Sequence, residues 1–364
     1  MFGSLTLARY FAWRFFTAVV AVFLGVYALV AFVDYIDAMR HASDLPNAPT
    51  SQIVLMSIYR VPQTMEALLP FSILVGAMAC FFGLSRRMEL VVARGAGMSV
   101  WQIITPAILV AAVLGAVGTS VYNPVSASLR EASKRIEAEV FQHSQSFEGY
   151  EGGYWVRQRS PEGDSILNAR QSQEQGLKLS TITVFTFDQA GEFRERIEAE
   201  SADLEPGAWR LTKARLYTLS EPPKDFDNYL LPTKITREQA AANLAAPETV
   251  GFWHLPQYIL FVEDTGQAAA AGYRLQYQVL VARPFYLAAM VLLAASVSLR
   301  AFRFGGVPQR ILMGICAGFA LYVLSKVTGD LAKADLLWPL LAAWLPVAAG
   351  GLTGLLVLLH EEDG

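Results

Sequence analysis

The chain has 364 residues, of which 54% are hydrophobic and only 17% charged, where soluble domains carry about a quarter charged residues. Charge is thin before Asp34 and after Arg310 and dense from Arg130 to Glu263, the blockwise pattern of a membrane protein with one sizeable extramembrane domain. A net charge of −3 gives no footing for nucleic acid as a partner.

From the N-terminus onward, six segments approach the roughly 20 apolar residues that a helix needs to cross the hydrocarbon core: 15–33, 65–84, 103–122, 279–299, 311–327 and 337–359. The first is too long for the apolar region of a signal peptide, and no small-x-small cleavage site follows it, so it is expected to remain as a span. Arginines set the orientation. Arg9 and Arg14 precede the first span, Arg86, Arg87 and Arg94 follow the second, and Arg300, Arg303 and Arg310 separate the fourth and fifth. The alternate side has fewer basic residues in its short loops, chiefly Arg40, Arg60 and Lys333. The positive-inside rule therefore predicts both termini in the cytoplasm and the long block outside. The expected division is 1–122 for spans one to three, with a short cytoplasmic helix at 85–99; 123–278 for the outer, mainly β domain; and 279–364 for spans four to six and the tail.

Within the outer block, "KLSTITVFTF" alternates small polar with β-branched or aromatic residues, the pattern of a strand with one buried face. "FDQAGEF" offers a Gly-containing turn, "RERIEAESADLEPGAWRLTKARLYTL" supplies two more alternating runs around "EPG", and "GGYWVRQ" gives an earlier one. Short strands with turn signals between them predict a sandwich or open barrel. "EPPKDFDNYLLPTK" reads as an irregular loop or edge. "HLPQYILFVEDTGQAAAAGYRLQYQ" returns to helix, with a Gly break before a second helix that runs into the fourth span. The fold class expected is thus an α-helical polytopic membrane protein with six transmembrane helices and an inserted periplasmic all-β domain.

No Walker A sequence, nucleophile elbow or kinase signature is present, so the chain carries no engine of its own and is not expected to be an enzyme. Cys80 and Cys316 lie inside apolar runs and read as buried thiols rather than a disulfide. His41, His143, His254 and His360 have no second ligand at metal spacing. Neither a metal nor a cofactor is implied.

"RVPQTMEALLPFSILVGAM" followed by "ELVVARGAGMS" resembles the LptF/LptG permease family, the membrane subunits of the ATP-driven lipopolysaccharide exporter. The six-span layout, the β block between spans three and four, and the closing "GFALYVLSKVTGDL" match that family along essentially the whole chain. "FVDYIDAMR" and the acidic tail "HEEDG" are similar to its LptG branch. The resemblance implies a bacterial inner-membrane location and a jelly-roll-like sandwich in the periplasm. It also implies an LptB-like ATPase dimer, an LptF-like sister permease and an LptC/LptA-like periplasmic bridge as partners, with lipopolysaccharide as the cargo. By the same resemblance, residues 86–98 form the coupling helix seated in a groove of the ATPase.

The residues themselves agree with docking. Glu89 is able to pair with a basic group on a partner, Leu90, Val91 and Val92 offer an apolar face, and Arg94 adds a cation. Gly95 and Gly97 let the backbone turn closely beneath the next span. A membrane-surface linker would explain Arg86 and Arg87, but an acidic side chain gains nothing beside anionic headgroups. For the phosphates of a cargo lipid, Arg130 and Lys134 stand one helical turn apart and repel unless an anion visits; a solvated helix face with loose salt bridges reads equally well. The family resemblance would place lysines near the end of the first span, where this chain has Asp34 and Asp37, which leaves Arg40 and Arg60 as candidates. Lys326 is an ionisable residue inside a span, with Asp330 one turn away as an alternative partner. Phe319 and Tyr322 fall on the span that the resemblance makes gate-lining, though ordinary helix packing also accounts for them. Gly314/Gly318 and Gly350/Gly354 form small-xxx-small faces suited to internal packing or to a partner. The competing reading of the whole chain is a mechanical or signalling membrane protein that couples the outer domain to a cytoplasmic partner.

Overall fold

The computed structural model describes residues 2–43, 50–141, 154–160, 163–173, 178–188, 192–218, 222–233, 247–263, 267–299 and 307–362. In chain order the helices are α1 (Phe2–Ser43), α2 (Thr50–Arg86), α3 (Glu89–Gly95), α4 (Val100–Val117), α5 (Asn123–Phe141), α6 (Leu255–Glu263), α7 (Gln267–Ser298), α8 (Val307–Lys333) and α9 (Pro339–Glu362), with a π-helical turn at Gly118–Tyr122 joining α4 to α5. Six stretches among the described residues are long and apolar enough to cross a membrane: Thr6–Arg40, Ser51–Arg86, Val100–Ser133, Ala270–Ser298, Pro308–Lys333 and Pro339–His360. Each corresponds to one expected segment. The chain divides into two compact units, one of Met1–Glu137, Gly251–Trp253 and Arg274–Gly364, the other of Ala138–Val250 and His254–Tyr273.

In the helical unit, α2 and α7 bury 56% of their apolar windows inside the chain, whereas α1 buries only 6%. α1 is apolar nearly all round, so most of its surface is left for lipid or another protein. The core joins Phe15 of α1, Ile73 and Phe81 of α2, Ile104 of α4 and Met290 of α7. Close approach is set by small residues. A Cβ at Gly354 of α9 would stand 2.8 Å from Leu292 Cβ and 2.9 Å from its carbonyl carbon, and one at Gly318 of α8 would collide with the Leu74 side chain of α2. Gly314 and Gly350 likewise face Met78 and Leu321. Both small-residue faces therefore pack within the chain. Both cysteines are free; Cys80 is buried, but Cys316, expected to be buried, is exposed on α8, because an apolar span need not turn all its faces inward.

The other unit contains one antiparallel sheet in simple meander order β1-β2-β3-β4-β5-β6: β1 (Tyr154–Ser160), β2 (Gly163–Gln173), β3 (Lys178–Phe187), β4 (Phe193–Glu205), β5 (Ala208–Thr218) and β6 (Lys224–Pro232). An inserted all-β domain is what the alternating runs predicted. The described strands form one sheet in which each strand pairs with its neighbour in sequence. "KDFDNYLLP" is not a loop: it is the edge strand, hydrogen-bonded on one side to β5 and carrying the charges that discourage further pairing.

The buried residues change phase partway along the sheet. In β3 the buried positions run Leu179, Ile182, Val184; in β4 Ile197, Ala199, Ala202, Leu204; in β5 Trp209, Leu211, Ala214. Each strand slips phase by one residue at the same level. There Thr181 and Lys213 adopt φ 52° and 51°, and Lys213 pairs with Glu200 at 2.7 Å. The pairing register is the same on both sides of this level, Ser180 with Ser201 and Ile182 with Ala199, so the left-handed residues turn the alternation over without a bulge. Among the described residues the apolar cluster on this face is made of strand residues. Trp209 is fully buried there, and its indole nitrogen has no hydrogen-bond partner among the described residues.

Candidate functional site

Between α2 and α4 the chain makes a short, tightly specified excursion. α2 ends at Arg86; Met88 takes a left-handed conformation, φ 60°, and the seven-residue α3 starts directly after it. Gly97, at φ 85°, closes the helix with an N–H donated to the Arg94 carbonyl at 2.9 Å, a conformation that costs a residue with a Cβ about 1–2 kcal/mol. α4 then begins with a capping box. Ser99 Oγ accepts from the Gln102 N–H at 3.3 Å, and Gln102 Oε1 accepts from the Ser99 N–H at 3.2 Å.

This geometry sorts the helix into two faces. Leu90 and Ala93, three residues apart, are buried in the core cluster with Phe11 and Ile103. Leu90 was expected on an outer apolar face, but the 100° step per residue turns it inward once α3 is seated on α1 and α4. The outer face is instead Met88, Val91 and Val92, which are 61%, 61% and 71% exposed. Arg87 and Arg94 flank them, also exposed. Gly95 meets no atom within 4 Å of a would-be Cβ and has ordinary helical geometry, so unlike Gly97 it does not require glycine.

Glu89 is engaged within the chain. Its Oε2 accepts a hydrogen bond from Tyr10 Oη at 2.8 Å, and its Oε1 lies 3.6 Å from Arg14 Nη2. Arg14 Nε donates to the same Tyr10 oxygen at 3.1 Å. Sequence reasoning missed this triad, because residues 79 positions apart give no local signal of contact.

A second polar group joins α1 to α2. Arg60 Nε donates to Asp34 Oδ1 at 2.8 Å, and its Nη2 lies 3.7 Å from Asp37 Oδ2. Ser57 Oγ donates to Asp34 Oδ2 at 2.6 Å. The two acids that displaced the expected lysines are thus the counterions of Arg60, and an anionic ligand would have to compete with them. Arg40 lies near the end of α1 and is exposed.

On α8, Phe319, Tyr322 and Lys326 follow one another at helical spacings of three and four on an exposed stripe continued by Leu312 and Ile315. Tyr322 packs 5.3 Å from the Phe71 ring of α2 and 6.5 Å from Phe319. Lys326 makes no ion pair with Asp330 or any other described acid, so an exposed cation inside an apolar span stands uncompensated. Arg130 is half-buried on α5; the side chain of Lys134 lies outside the described residues.

The helical unit also holds a buried polar node that sequence reasoning passed over. Arg283 Nη1 donates to Glu66 Oε1 at 2.6 Å, with the two side chains only 12% and 10% exposed. Asn123 bridges outward from them: its Nδ2 donates to the same Glu66 oxygen at 2.8 Å, and its Oδ1 accepts from the Phe252 N–H at 2.9 Å. The π-turn frees carbonyls from the helical ladder, and Trp253 Nε1 takes up the Ser120 carbonyl at 2.9 Å. Thr119 Oγ1 donates to the Leu280 carbonyl at 2.8 Å. The node thereby ties α2, the π-turn and start of α5, α7 and residues 251–253 together. A signal was available: Glu66 and Arg283 are ionisable residues inside expected spans.

The family model described as lipopolysaccharide export system permease LptF/LptG matches residues 9–360. Among similar proteins is the lipopolysaccharide export system permease protein LptG of Haemophilus influenzae, 24% identical over 330 residues that cover 89% of this chain and 90% of that protein. The protein of the same name from Escherichia coli strain K12 is 21% identical over 362 residues, 98% of each chain.

Proposed function

This chain belongs to the LptF/LptG family of lipopolysaccharide export permeases, and from that premise we propose that it is a non-catalytic inner-membrane subunit driven by a separate LptB-like ATPase dimer that docks on α3. Both termini and α3 face the cytoplasm, where Arg9, Arg14, Arg86, Arg87, Arg94 and Arg310 cluster as the positive-inside rule asks. The β unit faces the periplasm.

The observation that carries docking is the outer face of α3. Met88, Val91 and Val92 project from a helix whose other side, Leu90 and Ala93, is locked into the core. Fully burying side chains of this size yields about 1.5–3 kcal/mol each, so a groove that covers all three would gain several kcal/mol before the costs of association. A motor seated there pushes on an element with two short, rigid attachments, the Met88 turn and the Ser99 cap. The stroke narrows a cavity shared with an LptF-like sister permease and expels lipopolysaccharide outward.

Lipid chemistry supports the rest of the path. Extracting acyl chains costs about 0.8 kcal/mol for every methylene exposed to water, which is why external work and a sheltered route are both needed. The apolar face of the β sheet offers that shelter, leading to an LptC/LptA-like bridge. Lys326, uncompensated on the exposed stripe of α8, is the cation best placed to meet a lipid phosphate; Arg40, Arg130 and Lys134 are further candidates, while Arg60 serves its own acids first.

Val92→Asp tests the docking reading. A carboxylate on that face cannot be covered without a partner, so copurification of the ATPase with the permease should fall about tenfold or more while the permease itself folds normally. Undiminished copurification refutes the docking face.

A further inference from the structure

α1 and α3 are separate elements whose point of contact joins residues 79 positions apart, and a three-membered polar link connects them. Tyr10 Oη donates to Glu89 Oε2 and in turn accepts from Arg14 Nε. The Arg14 guanidinium lies 5.7 Å from the Tyr10 ring centroid and 3.6 Å from the other Glu89 oxygen. Three side chains thus hold one another, each touching both of the others, so that losing one contact leaves two in place. Glu89 stands at the first turn of α3, so a force on that helix is felt at once by its carboxylate. α1, meanwhile, is the span with least burial inside the chain.

We propose that Tyr10 and Arg14 are positioning residues that grip Glu89 and make α1 move with α3, so that work applied to the docking helix reaches the first span directly, in parallel with α2 and α4. This rests on the reading of α3 as the docking helix. Glu89 then belongs to transmission, and the affinity of docking resides in Met88, Val91 and Val92. Phe11 and Phe15, buried against the same cluster as Leu90 and Ala93, supply the apolar floor on which the grip sits.

The test uses the full permease–ATPase complex in vesicles containing lipopolysaccharide and compares Tyr10→Phe, Arg14→Gln and the double variant. Tyr10→Phe keeps the ring and removes only the hydroxyl, so folding is preserved. ATPase copurification and hydrolysis should remain within about twofold of the parent, while lipopolysaccharide released per ATP hydrolysed falls about fivefold or more in the double variant, the scale of a typical coupling free energy. Arg14→Lys, which keeps a cation facing Glu89, should recover part of that ratio. A parental ratio in the double variant overturns the proposal. So does loss of ATPase in step with loss of release, since the three residues would then only present the docking face. Failure of docking itself registers separately, as retained ATPase in Val92→Asp.

Discussion

Glu66→Gln is the most incisive perturbation of the helical unit. Its carboxylate and the Arg283 guanidinium meet at 2.6 Å with 10% and 12% of their side-chain surface exposed, so solvent screens the pair little. Glutamine keeps an oxygen for Asn123 Nδ2 but leaves the guanidinium without a counterion. Removing one member of a buried pair costs about 3–5 kcal/mol, and the retained amide contact places the expected value near 3 kcal/mol at the lower end. Arg283→Met should cost a similar amount, because Glu66 then keeps only the Asn123 amide. In the double variant no ion remains buried, and about 2 kcal/mol of the summed loss should return as coupling. The assay is a double-mutant cycle, with helical circular dichroism followed as SDS is titrated into the protein in mild detergent. Additivity within about 0.5 kcal/mol would refute the claim that these two side chains hold α2 to α7.

Gly354→Ala should destabilise by about 1–3 kcal/mol through overpacking, since its Cβ would lie within 3.1 Å of Leu292 and Leu293 backbone atoms; Gly351→Ala, with nothing within 4 Å, should be neutral or slightly stabilising in the same titration. In the sheet, a hydrogen bond from Arg215 holds the Asp225 carboxyl below its ordinary value of 3.8. A carboxyl whose folded value is depressed stabilises the fold above its unfolded value and loses that contribution as pH falls through the folded one. Asp225→Asn should therefore remove part of the stability loss seen below about pH 4, read by tryptophan fluorescence, and high salt should shrink the difference because the pair is fully exposed.

The spans were legible because a run of some 20 apolar residues is a compositional signal that survives any packing detail. Strands β3 to β5 were legible because alternation marks a half-buried strand, and the phase slips at Thr181 and Lys213 spoil it by only one residue. β6 was obscured because six of its first seven positions are exposed, and an edge strand with charges on both faces has no alternation to read. The outer face of α3 was half legible. "ELVVAR" offers apolar residues on both sides of a short helix, and only the seating of Leu90 and Ala93 on the core decides which side remains outside. The polar groups were the least legible. Glu89 with Tyr10 and Arg14, Arg60 with Asp34 and Asp37, and Glu66 with Arg283 each join residues from different elements. A single sequence shows the charges, and only the fold shows which of them are already satisfied. That distinction raised Lys326 among the cargo candidates and lowered Arg60.

A photoreactive amino acid placed at position 92 in the full complex tests the central claim most directly. Irradiation should capture the ATPase subunit as a single adduct, with no such adduct from position 109, where Leu109 is also exposed, on α4, but within an apolar span. Capture at 109 and not at 92, or labelling of a cysteine at 92 by an impermeant reagent applied from outside the cell, would contradict the account.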